Sequence, residues 1–105
     1  MVDNYQTVAK VGEVVEGQGY PVEVDGRPIA IFLTAGTYYA TDDICPHQGA
    51  PLCDGQVANR SVTCAWHGWR FSLEDGRRLD APRGKIAVHP VRVVGDDIQV
   101  SYPNV

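Results

Sequence analysis

Hydrophobic and polar positions change pattern every few residues along this chain, with glycine, proline or aspartate at most of the changes. Tyr20-Pro21-Val22-Glu23-Val24 and Pro28-Ile29-Ala30-Ile31-Phe32-Leu33-Thr34 are β-branched or apolar runs on either side of Asp25-Gly26. That dipeptide suits a tight hairpin, because both of its positions tolerate a positive φ. Ala35-Gly36 then turns the chain into Tyr38-Tyr39-Ala40-Thr41. Glu74-Asp75-Gly76 predicts another turn, and Val88 to Val94 is expected to pair with Ile98 to Tyr102 across Gly95-Asp96-Asp97. Val11 to Gly17 is the one segment that suggests a short helical turn. Frequent turns and short strands together predict an all-β chain folded as an antiparallel sandwich or barrel.

Composition adds scale. A chain of 105 residues, 44% of them apolar, is expected to be one domain, spanning residues 1–105, that buries about two thirds of its unfolded surface. Met1-Val2-Asp3-Asn4-Tyr5 offers neither a basic start nor an apolar run, and no stretch approaches the roughly 18 apolar residues of a membrane span. A cytoplasmic location is the expectation, where thiols stay reduced and available to a metal.

Charge is unevenly spread. Residues 1–59 hold eight acidic and two basic side chains, residues 60–105 five acidic and seven basic, for a net charge of −4. Without a basic and aromatic stripe, nucleic-acid binding is not expected. Arg77, Arg78, Arg83 and Lys85 fall close together. The simplest reading is a solvated surface; the sharper one is a bipolar field that orients the molecule against an acidic partner patch.

Two cysteine-histidine pairs carry the chemistry. Cys45-Pro46-His47 and Cys64-Ala65-Trp66-His67 are separated by sixteen residues and embedded in glycine, proline and tryptophan. Two thiolates and two imidazoles could close a tetrahedral zinc site, or hold two irons of a 2Fe-2S cluster with sulfur on one and nitrogen on the other. Zinc modules usually space their pairs as C-x2-4-C or H-x3-5-H, whereas here each pair is mixed and the first has a single intervening residue. Zinc, a mixed-ligand iron-sulfur site and unliganded core residues all remain open on these residues alone.

The neighbouring residues resemble a known family. Cys45-Pro46-His47-Gln48-Gly49-Ala50-Pro51-Leu52 and Cys64-Ala65-Trp66-His67-Gly68-Trp69-Arg70-Phe71 look like the two cluster loops of Rieske iron-sulfur proteins, whose pattern is C-x-H-x(15-17)-C-x-x-H. Gly76, Pro82 and Ile86-Ala87-Val88-His89-Pro90-Val91 resemble that family's turn, its proline loop and the strand that follows. The resemblance implies a Rieske-type sandwich or barrel with a small cluster-binding subdomain, cluster loops near 43–54 and 62–72, and a proline loop near 80–86. It implies one 2Fe-2S cluster, with Cys45 and Cys64 on the buried iron and His47 and His67 on the outer one.

The same resemblance implies a one-electron carrier. A second, mononuclear iron site would need two histidines and a carboxylate, yet the chain has three histidines, two of them in the cluster pattern, leaving His89. One spare cysteine, Cys53, cannot hold a 4Fe-4S centre. The expectation is therefore a non-catalytic Rieske ferredoxin working between a reductase and a terminal oxygenase. The alternative is the small subunit of a nitrite reductase beside its large subunit; a redox sensor or a zinc-binding interaction module follow. Cys53 reads as an inert thiol and His89 as a packing or surface residue. Trp66 and Trp69 read as apolar cover that also limits water access. High-potential members of the family carry a loop disulfide and Ser and Tyr hydroxyl donors, where this chain has Ala50, Trp66, Trp69 and Phe71, so a low reduction potential is implied.

Overall fold

Short strands and two-residue turns organise the chain as the turn chemistry predicts. The computed structural model describes residues 5–45, 49, 51–65 and 68–101. Ten strands occur among them: β1 Tyr5–Lys10, β2 Gly19–Val24, β3 Arg27–Thr34, β4 Thr37–Asp42, β5 Gln56–Ala58, β6 Ser61–Thr63, β7 Arg70–Ser72, β8 Val88–His89, β9 Val91–Val94 and β10 Asp97–Ser101. Asp25 and Gly26 take φ of 52° and 78°, and Ala35 and Gly36 take 53° and 74°, the left-handed values that a tight hairpin needs. The first turn sets Tyr20 opposite Ile31 and Val22 opposite Ile29; the second sets Phe32 opposite Tyr39.

Three antiparallel sheets result, ordered β1-β10-β9, β2-β3-β4-β8 and β5-β6-β7. β3 lies inside the second sheet and is buried on both faces. Because successive side chains of a strand alternate, Ile29 and Ile31 enter one core with Ala9, Val14, Val24, Ala40, Ile98 and Val100. Ala30 and Phe32 enter another with Cys45, Leu52, Val62, Cys64, Phe71, Leu73 and Ile86. The first core lies against the sheet of β1, β10 and β9; the second carries the small sheet β5-β6-β7 and the cysteine loops. This is the all-β architecture with a small cluster-binding part that the resemblance implies.

Two local expectations are corrected. Val11 to Gly17 forms turns and no helix: the Glu13 amide donates to the Lys10 carbonyl at 3.0 Å, and the Gly17 amide donates to the Leu33 carbonyl at 2.8 Å. The Glu16 carboxylate accepts from the Ala35 amide at 2.9 Å, so the segment is pinned to the β3-β4 hairpin rather than closing on itself. Val88 to Val94 is not one strand either. Pro90 cannot donate to a ladder, and the chain changes sheets there: Val88 and His89 pair with β4, while Val91 to Val94 pair with β10. Tyr102, the predicted end of the last strand, lies outside the described residues.

Candidate metal centre

Both cysteines of the predicted pairs occupy the same apolar core, at 0% exposure for Cys45 and 2% for Cys64. Cys45 follows β4 and Cys64 follows β6. Each begins a turn of the same construction. The Gly49 amide donates to the Cys45 carbonyl at 2.8 Å, and the Gly68 amide donates to the Cys64 carbonyl at 3.0 Å. Both glycines take a φ of +74°, a conformation that a side chain would strain. The two loops are therefore local twins, cysteine at the start and left-handed glycine four residues on. Against that shared frame the histidine differs, His47 being the second residue after its cysteine and His67 the third. His47 and His67 lie outside the described residues, as do Pro46, Gln48, Ala50 and Trp66.

Each loop is closed at its base. The Cys64 amide donates to the Trp69 carbonyl at 2.8 Å, continuing the β6-β7 pairing that sets Thr63 opposite Arg70. In the first loop, the Asp43 carboxylate accepts from the Cys53 amide at 2.8 Å, and a 3-10 turn at Leu52–Asp54 follows. Asp43 was not among the residues singled out from sequence, and no spacing signal marks it, since its partner is ten residues away across the loop.

The donor set fits a cluster. None of the three cysteines forms a disulfide, and two thiols in an apolar core are the low-access sulfur donors that an inner iron takes. Cys53 is different. It is half-buried, and its thiol is pushed up to about 12 by burial first and then by the Asp43 and Asp54 carboxylates. A thiol so far from ionising stays protonated at neutral pH. His89 sits on β8 with its side chain 6% exposed, its Nε2 2.8 Å from the Asp42 carboxylate, among Tyr38, Tyr39, Leu73 and Val91; it is a packing residue.

Trp69 and Arg78, just before the proline loop, meet in a stack that the sequence did not announce. The Arg78 guanidinium carbon lies 3.5 Å from the Trp69 ring centroid, close enough for a cation-π contact. Asp80 accepts from Arg78 Nε at 2.8 Å and from the Arg70 amide at 3.3 Å. The hydrogen bond from Arg78 holds the Asp80 carboxyl below its usual value. Gly76, predicted as a turn residue, receives the Ile86 amide on its carbonyl at 2.9 Å and so seats Ile86 in the cysteine core.

Comparison with known proteins agrees with this geometry. The profile of the Rieske [2Fe-2S] domain matches residues 4–98. The ferredoxin component of the naphthalene 1,2-dioxygenase system of Pseudomonas aeruginosa is 32% identical over 95% of this chain and 97% of its own length. Among solved structures, the Sphingomonas yanoikuyae B1 ferredoxin superposes with a TM-score of 0.86 at 24% identity, covering 95% of this chain and all of that one. A proposed NADH-dependent nitrite reductase small subunit from Mycobacterium tuberculosis gives a TM-score of 0.90 at 29% identity over the whole of both chains. The twin cysteine loops, the β architecture and the matched profile agree: the chain belongs to the Rieske family, and its cofactor is one 2Fe-2S cluster.

Proposed function

We propose that the chain is a ferredoxin-type one-electron carrier in the cytoplasm, accepting electrons from a reductase and passing them to a terminal oxygenase. The observation that carries this reading is the near full-length match to a dioxygenase-system ferredoxin component. In this proposal Cys45 and Cys64 hold the inner iron and His47 and His67 the outer one. Residues 1–105 act as one domain, with loops 43–54 and 62–72 holding the cluster and loop 80–86 beside them. When bound, the cluster supplies reversible one-electron chemistry. The chain's own residues bury the thiolate side, exclude water and present the loops to a partner.

Features of the surface support docking near the loops. Ile44, next to Cys45, is 44% exposed, and Leu79 is 38% exposed; Arg77, Arg83 and Lys85 are exposed nearby in sequence. Exposed apolar side chains offer area to a transient partner, and Arg83 and Lys85 offer charge that steers an acidic one. A second reading, the small subunit of a nitrite reductase, is favoured by the high structural similarity to the mycobacterial chain.

Reconstitution tests both. The purified protein should be coloured, with two irons and two acid-labile sulfides per chain, and should restore electron flow between a dioxygenase-system reductase and its oxygenase. Restored nitrite reduction with a large subunit, and none with the oxygenase, would favour the second reading. A colourless protein carrying one zinc after iron-replete growth would sink both.

A further inference from the structure

Arg78 belongs to the basic stretch that reads as solvated surface, yet its side chain is 16% exposed, whereas that of the adjacent Arg77 is 70% exposed. Three groups hold it. Trp69 receives the guanidinium on its ring face, at 3.5 Å. Asp80 grips its edge with two contacts, from Nε at 2.8 Å and from a terminal nitrogen at 3.5 Å. Gly84 lies against both partners of the stack: a Cβ there would be 3.1 Å from Arg78 Cδ and 3.6 Å from Trp69 Cζ3, and Gly84 takes a φ of +112°. The Arg78 amide donates to the Gly84 carbonyl at 3.0 Å, and the Leu79 amide donates to the Arg70 carbonyl at 2.8 Å. Thus residues 77–80 are fastened to the second cysteine loop by backbone hydrogen bonds, by Asp80 and by the Arg78 stack.

Trp69 also packs against the core that contains Cys45 and Cys64, and its carbonyl accepts from the Cys64 amide at 2.8 Å. The contacts therefore run without a gap from Asp80 to Arg78, to Trp69, to Cys64. We propose that Arg78, clamped between Asp80 and Trp69, is a positioning residue that holds Trp69 as a closed lid over the thiolate side of the cluster. The proposal rests on the ligand role given above to Cys64. A planar guanidinium suits this position because it can stack on the ring and meet a carboxylate at the same time. A lysine keeps the charge and loses the stacked face.

Two kinds of role predict different signs. If Arg78 acted only through its charge, Arg78→Met would lower the midpoint potential, because reduction makes the cluster more negative, and Asp80→Asn would raise it. If the clamp excludes water, both substitutions loosen the lid, and both raise the potential as solvent stabilises the reduced form. The test is protein-film voltammetry together with the rate of iron loss to a chelator, well below the unfolding temperature, on wild type, Arg78→Met, Arg78→Lys, Asp80→Asn and Gly84→Ala. Expected are raised midpoints in all four variants and iron loss faster by roughly threefold to tenfold, the size of one cation-π contact. Should Arg78→Met fail to fold, Gly84→Ala, which changes no charge, carries the test. Opposite shifts for Arg78→Met and Asp80→Asn, rescue by Arg78→Lys, or lowered melting temperatures with unchanged potential and iron loss would each overturn the proposal. A wild-type protein without iron would overturn the ligand reading and the proposal with it.

Discussion

Ile29 and Ile31 face a core drawn chiefly from strands β1 to β4 and β10, whereas Ala30 and Phe32, one position along on the same strand, face a core that contains two cysteine thiols and draws on loops. The first core is held by aliphatic burial across paired strands, a term that needs nothing but the chain. The second has less regular structure around it, with strands β5, β6 and β7 of three residues each. Metal that binds only the folded chain adds its binding free energy to folding, and with Cys45 and Cys64 as the proposed ligands it would do so on this side. A common scaffold strand thus joins an aliphatic core to the core that holds Cys45 and Cys64.

The largest expected effect comes from removing one of the two cysteines proposed to hold the inner iron. Cys45→Ser or Cys64→Ser should prevent cluster assembly, read as loss of visible absorption and of iron and sulfide. Hydrogen exchange on the same variants should show protection kept in β1, β3 and β10 and lost in β5 to β7. Equal loss in both halves would erase the contrast between the cores.

Neighbouring truncations on β3 sharpen it. Both Ile31 and Phe32 are 0% exposed, so Ile31→Ala should cost ~2–5 kcal/mol and Phe32→Ala ~3–5 kcal/mol in denaturant melts. Only Phe32→Ala should accelerate bleaching of the cluster. If Ile31→Ala bleaches it equally fast, the cores are not energetically separate.

A smaller effect concerns the potential. The Trp69 and Phe71 side chains bring no hydroxyl to the cysteine core, and none of the cysteines forms a disulfide. Without hydroxyl donors at positions 69 and 71, the reduced form is less stabilised, and a midpoint near the low end of the Rieske range, about −150 mV, is expected. Voltammetry at neutral pH giving a value well above zero would contradict it.

Cys53 should have the least effect of the cysteines. Cys53→Ser should leave the visible spectrum unchanged. Its thiol pKa is raised on folding from 9.0 to about 12, so the folded state favours the protonated thiol. The associated stability is fully present below pH 9 and is lost as pH rises toward 12. Alkylation of the native protein at pH 8, followed by mass spectrometry, should be far slower at Cys53 than in the unfolded chain. Rapid modification would show a reactive thiol at the edge of the core that holds Cys45 and Cys64.

Much of this molecule is legible locally. The β2-β3 hairpin needs only Asp25-Gly26 between apolar runs, and its register follows from the turn. The β3-β4 hairpin follows likewise from Ala35-Gly36. Strand β1 was missed because Tyr5–Lys10 carries no strong alternation, and it exists because β10, from the far end of the chain, pairs with it. Strands β5 to β7 were hidden inside what read as cluster loops; at three residues apiece they are too short for a periodic signal.

By itself, the sequence determined the turn positions, the all-β class and the two cysteine-histidine pairs with their Rieske resemblance, because each is carried by residues adjacent in the chain. Only the tertiary structure decided that β3 is buried on both faces, that Pro90 passes the chain from one sheet to another, that Asp43 closes the first loop through the Cys53 amide, and that Arg78 lies on Trp69 rather than in solvent. The physical reason is that local pattern records what a residue can do, while burial and partner are set by residues far along the chain, and a two-residue period cannot name them.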